Sequence, residues 1–325
     1  DFLGLKHDLS YQFADAHLIR AGVDLRRLDS DYEYTSGLAN DPASQTSIHL
    51  DPRGLTISGY VAYRAALHAR LATEVGVRYD RQSYTDEHQF SPRLNGIWRI
   101  GDRSELRLGL GQYYQSQRIH ELHVEDGETE FLPVELSRQA ALTFQQRLPR
   151  DLSIRFDAYY RRLTRLHPRY ENLENPIELY PETEMDRVLV SADHARLSGI
   201  ELLFRTASQK PFYGTVSYAW SSAEDVIDGR GVPRNWDQTH AGKFLVGYRR
   251  PDKWYGSLSG TAHTGWPTTP ATATATPLPG GGTQYDKIYG DRNSDRFPTY
   301  LRFDLKASRA FTIPGGSLRL DLELL

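Results

Sequence analysis

Hydrophobic and polar residues alternate along most of this 325-residue chain. Within 154–161, the second arm of a hairpin predicted at 134–162, Ile154 and Phe156 would lie on one face of a strand, and Arg155 and Asp157 on the other. The same two-residue period recurs in the segments 19–26, 74–80, 106–111, 199–205, 244–249, 301–308 and 318–324. No stretch keeps a convincing helical period. The chain is therefore predicted to be all-β.

Short and long connections alternate between the predicted strands. The short turns are 14–16, 67–69, 101–103, 149–151, 208–211, 250–252 and 314–316, and the long polar loops are 29–52, 82–89, 116–132, 166–186, 223–237 and 265–296. Outer-membrane barrels keep their short turns at one end and their long loops at the other. The pattern predicts a transmembrane antiparallel up-and-down β-barrel of about 14 strands, with short periplasmic turns and long extracellular loops.

Charged residues in mid-strand favour a barrel over a sandwich, because a packed apolar core does not accept unpaired charges. A soluble β-sheet binding protein with one hydrated face remains the alternative. A mean hydropathy of −0.58 does not decide between them, since only every second barrel residue faces lipid. The lumen-facing candidates are Arg20, Asp24, Glu74, Arg78, Arg107, Arg155, Asp157, Glu201, Arg205, Arg302 and Asp304.

Composition removes several other functions. The chain has no cysteine, which excludes thiol nucleophiles and cysteine-based zinc sites. A net charge of −3 gives no reason to expect nucleic acid as a partner. The sequence His120-Glu121-Leu122-His123 has the wrong spacing for a zinc protease and falls in a predicted loop. We expect no enzyme activity, no metal and no cofactor.

The long loops carry the remaining candidate chemistry. Residues that would face the outside are Glu121, His123, Glu125, Asp126 and Trp266. The wider acidic set is Asp29, Asp31, Glu33, Glu128, Glu130, Glu171, Glu174, Glu178, Glu182 and Glu184. These carboxylates could attract a cationic ligand, or keep the loops soluble and meet lipopolysaccharide through divalent cations. The Thr/Ala/Pro run at 267–279 is expected to be a mobile, low-complexity loop.

One segment resembles a known family. The sequence RNWDQTHAGKFLVGY at 234–248 is similar to a strand start in the distal half of TonB-dependent receptor barrels. The residues that carry the motif are Arg234, Asn235, Trp236, Asp237, Gln238 and His240. Thr239 stands where the family often has arginine. Further blocks follow in the family's order at 90–93, 135–152, 197–203, 265–267, 293–309 and 318–325.

The resemblance implies a barrel of about 22 strands around an N-terminal plug. Residues 1–325 would then be the C-terminal part of that barrel, without the plug, its TonB box and the remaining strands. The implied function is uptake of a scarce nutrient across the outer membrane, most often an iron siderophore, otherwise cobalamin or an oligosaccharide. The implied partners are the TonB complex, outer-membrane lipid and lipopolysaccharide, and a small-molecule or metal-chelate ligand. The alternative is a complete 14-stranded channel similar to the long-chain fatty acid transporters.

Overall fold

A computed structural model describes residues 2–38, 41–174, 184–206, 211–250 and 254–324. The predicted turn at 250–252 lies mainly outside these ranges, and so does most of the turn at 208–211. Glu178 and Glu182 also lie outside the described residues. Within the described part, no helix is long and apolar enough to cross a membrane.

The described part of the chain consists mostly of strands. They are β1 (Phe2–Ala14), β2 (His17–Asp29), β3 (Tyr32–Leu38), β4 (Asp41–Leu50), β5 (Arg53–His68), β6 (Leu71–Gln82), β7 (Glu87–Arg99), β8 (Ser104–Gln115), β9 (Glu135–Arg147), β10 (Leu152–Thr164), β11 (Arg169–Asn172), β12 (Arg187–Val190), β13 (His194–Thr206), β14 (Phe212–Ile227), β15 (Arg230–Pro233), β16 (His240–Arg250), β17 (Trp254–His263), β18 (Pro267–Thr268), β19 (Ala271–Pro277), β20 (Thr283–Tyr289), β21 (Asp295–Arg296), β22 (Tyr300–Ile313) and β23 (Gly316–Leu324). Two short 3₁₀ segments occur at Val124–Asp126 and Pro149–Asp151.

The main sheet is antiparallel and follows the order β1-β2-β5-β6-β7-β8-β9-β10-β13-β14-β16-β17-β22-β23, with β15 paired to β14. The predicted class and the number of long strands are confirmed. The turn between β9 and β10 is as short as the pattern indicated. It is closed by Arg150 and Asp151, both in the left-handed region at φ 64° and 60°.

The long connections are more ordered than predicted. The separate pairs β3–β4 and β19–β20 form within the predicted loops 29–52 and 265–296, and β11 pairs with β12, which lies just beyond the predicted loop 166–186. The expectation of an irregular loop at 267–279 was wrong, because Ala271–Pro277 forms β19 and pairs with β20. Threonine at every second position of β19 suits an extended strand. The glycines of the following turn supply positive φ angles of 87° and 102° at Gly281 and Gly282.

Two compact units can be described separately. Unit 1 comprises Asp1–Trp98, Arg107–Ala140 and Arg161–Ala195, and unit 2 comprises Arg99–Leu106, Ala141–Tyr160 and Arg196–Leu325. In both units the strand registers sort the sheet into a polar face and an apolar face. Val23, Val61 and Val77 stay about half exposed on the apolar face of unit 1. Leu301, Phe303 and Leu305 do the same in unit 2.

The buried apolar side chains lie mostly outside the main sheet. Ile119, Leu122, Val124, Val134 and Val190 are buried, and all five lie in unit 1 outside the strands of the main sheet. The long stripes of exposed apolar residues on the strands are unlike the surface of a soluble protein. They are typical of a barrel surface that contacts lipid.

Candidate functional site

The polar face of unit 1 collects charged side chains from β2 and β6, which lie on either side of β5. Arg20 on β2 forms an ion pair with Glu74 on β6. Asp24 and Arg26 pair along β2 at 2.6 Å, and Arg78 pairs with Asp80 along β6 at 2.7 Å. These four sequence-predicted residues, Arg20, Asp24, Glu74 and Arg78, therefore share one face. Because each charge has a partner, the face is polar without a strong field of one sign.

One glycine makes room for this network. Asp8 on β1 accepts a hydrogen bond from the Tyr60 hydroxyl at 2.9 Å, directly over Gly22. A Cβ atom at Gly22 would lie 2.4 Å from the Asp8 carboxylate and 2.5 Å from the Tyr60 ring. Any larger residue would displace one of these two side chains. Gly22 thus fixes a cross-strand polar contact between β1 and β5.

Arg107 lies on the same polar face, as its alternation along β8 shows. Tyr113 lies under the Arg93 guanidinium at 4.7 Å, and a Cβ at Gly109 would lie 3.4 Å from the Asn95 amide oxygen. Arg93 and Asn95 face the polar side of β7. Residues 107, 109 and 113 are separated by even numbers along β8, so they share that side.

The polar face of unit 2 has the same construction. Arg155 and Asp157 pair along β10 at 2.7 Å, and Arg302 pairs with Asp304 along β22 at 2.8 Å. A cavity of about 360 Å³ is lined by Arg155, Asp157, Glu201, Ser217, Tyr218 and Lys243, among others. Arg205 is exposed four residues beyond Glu201 on β13, on the same side of that strand.

Sequence reasoning found these charges but missed that they pair within a strand. Within the long strands, the pattern Arg-x-Asp or its reverse occurs at 24–26, 27–29, 78–80, 155–157, 302–304 and 319–321, and each of these forms an ion pair. Two residues apart on a strand is the spacing that puts both side chains on one face. The signal was therefore readable from the sequence.

An open cavity of about 1280 Å³ lies at the loop end of unit 1. Its strand side includes Asp24, Arg26, Ser58, Arg78 and Asp80, so it continues from the polar face. Its loop side includes Asp29, Asp31, His49, Asp51, Arg53, Tyr84, Arg118 and His120. The lining mixes acidic and basic groups and has few apolar side chains. These side chains offer hydrogen-bond donors and acceptors of both signs to a polar ligand.

The segment 116–134, which we call the loop cap, closes over this end of unit 1. The Tyr32 hydroxyl donates to the Ile119 carbonyl at 3.0 Å and accepts from the Leu122 amide at 2.9 Å. Tyr84 donates to the Gln117 carbonyl at 3.1 Å. Burial raises the pKa of both tyrosines. The two hydroxyls therefore hold the loop cap to the strands as neutral hydrogen-bonding groups.

The predicted loop residues Glu121, His123, Glu125 and Asp126 lie on the loop cap. Glu121 accepts from the Arg118 amide at 2.8 Å, and His123 contacts Glu125 at 3.1 Å. His123, Glu125 and Asp126 bring their side-chain ligand atoms within 4.8 Å of one another. Both Asp126 oxygens, however, already contact the guanidinium of Arg187, at 2.6 and 2.9 Å. The arrangement serves first to tie the loop cap to β12.

Residues 234–240, which we call the tie, connect strands and loops in unit 2 through contacts around the buried Asp237. Asp237 is 4% exposed and accepts from the Ala223 amide at 2.7 Å and from Arg296. The Asn293 amide donates to Asn235 at 2.7 Å. The remaining pairs are Arg234 with Asp225 at 3.1 Å, Gln238 with His263 at 3.1 Å, and His240 with Tyr218 at 2.8 Å. Arg292 also lies 3.8 Å from the Asp225 carboxylate. The contacts of Arg292 with Asp225 and of Arg296 with Asp237 were not foreseen, since the partners lie far apart in sequence.

An aromatic cluster lies beside this tie. Trp236 and Trp266 meet edge to face at 5.2 Å between ring centroids, and His263 stacks on Tyr300 at 4.9 Å. His263 also lies 6.3 Å from Trp266. Trp236 remains 56% exposed, so one ring is free to contact a ligand. Arg302 follows Tyr300 by two residues on the same face of β22.

The chain was compared with known proteins. A family model for the TonB dependent receptor-like β-barrel matches residues 1–324. Solved structures that resemble the chain include the ferric enterobactin receptor PfeA from Pseudomonas aeruginosa (11% identity, TM-score 0.63), the outer membrane transporter YddB from Escherichia coli (14%, 0.63) and the siderophore receptor PirA from Acinetobacter baumannii (12%, 0.62).

These matches cover nearly all of the chain. They include 96%, 95% and 96% of it, respectively, and 46%, 47% and 48% of the three solved chains. The chain thus spans about half the length of the solved structures that it resembles. At identities this low the likeness establishes the fold alone. No curated protein sequence matches the chain.

Proposed function

Because the chain belongs to the TonB-dependent receptor β-barrel family, we propose that it forms part of an outer-membrane uptake receptor. The observation that carries this proposal is the division of the main sheet into an exposed apolar face and an ion-paired polar face. In a membrane, the apolar face contacts lipid and the polar face lines the lumen. The protein would be a transporter located in the outer membrane, with no enzyme activity and no nucleic acid partner.

The ion-paired polar face suits a lumen that holds a plug. A wall of unpaired charges of one sign would bind an oppositely charged plug tightly and hinder its movement. Neighbouring pairs such as Arg78–Asp80 and Arg302–Asp304 instead leave the wall close to neutral over short distances. In this proposal the TonB complex acts on the plug, and the chain described here provides the surrounding wall.

The loop end would face outside and admit the ligand. The cavity of about 1280 Å³ in unit 1 lies at this end and is bounded by the loop cap. Glu121, His123, Glu125 and Asp126 would then be at the extracellular surface, together with Trp266 of unit 2. Lipopolysaccharide would be the neighbouring lipid of these loops.

We propose an iron siderophore as the ligand class. Two of the three solved structures named above are receptors for ferric enterobactin or a siderophore. The Trp236, Trp266, His263 and Tyr300 rings, with Arg302 nearby on β22, suit a ligand that combines aromatic rings with negative charge. Cobalamin and oligosaccharides are the alternatives that the experiment must separate.

The test is uptake in cells that carry the whole protein. A gene deletion strain is grown under iron limitation and supplied with radioactive iron as catecholate, hydroxamate or mixed-ligand siderophore complexes. We expect uptake of one class to disappear on deletion and on loss of TonB, and to return with the wild-type gene. Uptake should fall in the double variant Trp236→Ala/Trp266→Ala. It should not fall in the control variant Trp254→Ala, which removes a tryptophan from the apolar face.

Other outcomes would contradict the proposal at different levels. Unchanged uptake of every ferric siderophore, with loss of cobalamin or oligosaccharide uptake, would refute the ligand class alone. Uptake that is lost on deletion of the gene but persists without TonB would refute the receptor function and favour a passive channel.

A further inference from the structure

The β19–β20 hairpin forms a two-stranded sheet of its own within the connection 265–296. Every residue of β19 is exposed, and so is every residue of β20 except Tyr289. In the β3–β4 hairpin, by contrast, Tyr32 binds the loop cap through its hydroxyl. Two strands alone are only marginally stable in water, and a third strand stabilises them. The β19–β20 hairpin is therefore a candidate for pairing with a further strand.

Hydrogen bonds at the two ends of the hairpin show which main-chain groups face outwards. The Gly290 amide donates to the Pro270 carbonyl at 2.8 Å, and the Leu278 amide donates to the Gly282 carbonyl at 3.1 Å. In an antiparallel ladder, hydrogen-bonded pairs alternate with pairs that are not hydrogen-bonded. The residues of β19 whose N–H and C=O groups point to β20 are then Thr272, Thr274 and Thr276, and those whose groups point away are Ala271, Ala273 and Ala275.

The outer edge of β19 is a short row of such outward groups. In the described part of the chain, β20 is the only strand that pairs with β19. Pro270 and Pro277 bound the row on either side, and proline has no N–H to donate. Six residues, 271–276, remain between them. This length matches the usual five to six residues of a natural strand.

No charged side chain guards this edge. Natural proteins protect the edges of their sheets with charged residues, above all lysine. Charged residues make up 25% of the chain, yet none occurs from Trp266 to Tyr285. On β20, Lys287 lies opposite Ala273, and its N–H and C=O groups point to the other edge of the hairpin. The edge of β20 therefore carries a lysine, whereas the edge of β19 is open to pairing.

From these observations we propose that the outer edge of β19 binds an extended segment of another protein as a third strand. Main-chain hydrogen bonds to Ala271, Ala273 and Ala275 would supply the affinity, as in other cases of strand addition. β19 offers no counter-charge, so an uncharged segment fits this edge. Six residues are few beside the roughly 20–30 residues a side of a stable interface between folded proteins, which favours a linear segment over a second folded copy. The inference goes beyond the proposed uptake function, because it does not depend on the transported ligand.

Binding of a synthetic peptide to the whole purified protein tests the edge. The probe is a fluorescein-labelled peptide of alternating threonine and valine between glycine ends, and fluorescence anisotropy measures its binding. The control peptide has every amide N-methylated, so that it cannot donate main-chain hydrogen bonds. The edge variant is Ala273→Pro, and the matched control is Lys287→Pro, directly across the hairpin. Each variant removes one outward N–H and leaves the hydrogen bonds between β19 and β20 in place.

We expect saturable binding of the peptide and none of its N-methylated form. Ala273→Pro should raise the dissociation constant about tenfold or more, because a carbonyl of the bound peptide loses its donor. Lys287→Pro should leave the constant unchanged. Hydrogen exchange at 284–288 checks that the hairpin persists, and its protection should be equal in the two variants.

Equal weakening by Ala273→Pro and Lys287→Pro would show that the peptide does not bind at the edge of β19. Equal binding of the N-methylated peptide, or no peptide binding at all, would refute strand addition by a segment. A cross-linked dimer that Ala273→Pro abolishes, without peptide binding, would make a second copy the occupant instead. Ligand uptake should be the same in the wild type and in Ala273→Pro. A fall in uptake would assign the hairpin to ligand entry and overturn the proposal.

Discussion

Asp237 offers the sharpest prediction about the tie at 234–240. Its carboxylate is 5% exposed and accepts hydrogen bonds from Arg296 and the Ala223 amide. Replacing Asp237 with asparagine removes the negative charge but keeps the size of the side chain. The guanidinium of Arg296 cannot lose its proton, so a partly buried cation remains without its counter-charge. Removing one partner of a buried ion pair typically costs about 3–5 kcal/mol.

This cost should appear as local opening of unit 2. Each 1.36 kcal/mol is a factor of ten, so amide protection should fall by roughly 10²- to 10⁴-fold in the peptides that contain the tie. Hydrogen exchange with mass spectrometry on the whole protein measures it at 221–240 and 290–297.

Asp304→Asn is the matched control. The Arg302–Asp304 pair is more exposed, at 49% and 30% for the two side chains, and exposed pairs contribute only about 0–1 kcal/mol. Its effect on protection should be less than about tenfold. Equal effects of Asp237→Asn and Asp304→Asn, or no change at 221–240, would show that the tie does not stabilise this region.

Three further predictions concern unit 1. Gly22→Ala should destabilise the protein by about 1–3 kcal/mol and lower the temperature of its heat-induced gel shift, whereas Gly256→Ala should not. Tyr32→Phe leaves two backbone groups of the loop cap without their partner. It should lower the free energy of local opening at 117–124 by about 1–3 kcal/mol, which hydrogen exchange measures. The control is Tyr285→Phe, at an exposed tyrosine. Burial raises the pKa of Asp126 against the opposing effect of its arginine partner. A carboxyl group whose pKa is raised in the folded state stabilises that state more as the pH falls. Amide protection of the loop cap, compared between the wild type and Asp126→Asn, should therefore shift in favour of the wild type as the pH falls from neutral towards the ordinary aspartate range. A difference in protection that does not change with pH would contradict this.

The strands were predictable because their signal is local. Alternation such as Leu301-Arg302-Phe303-Asp304 assigns each side chain to a face without any knowledge of the neighbouring strands. The order of the sheet followed from the short turns, since a short turn leaves an antiparallel neighbour as the only partner within reach.

The loops were harder because their order depends on distant contacts. Ile119, Leu122 and Val124 lie among charged residues and were assigned to a polar loop, yet all three are buried. Their burial depends on Tyr32, almost ninety positions earlier in the chain, which holds the loop cap to β3. A sequence pattern carries no sign of such a contact.

In the candidate site, too, local patterns were predictable and distant contacts were not. The Arg-x-Asp pairs could have been found from spacing alone, whereas the Asp225–Arg292 contact joins β14 to a connection that is far away in sequence. The motif residue Asp237 was identified by resemblance, but its partner Arg296 was not. Resemblance marks a position without giving its contacts.

The central claim is that the polar face of the main sheet lines a water-filled lumen and the apolar face contacts lipid. This chain has no cysteine, so single cysteines can be introduced without background from it. Cysteines at positions 301 to 306 of β22, in the whole protein in outer membranes, would be exposed to a charged, membrane-impermeant thiol reagent. We predict labelling at Arg302, Asp304 and Lys306 positions and protection at Leu301, Phe303 and Leu305. Uniform labelling, or the opposite alternation, would contradict the account.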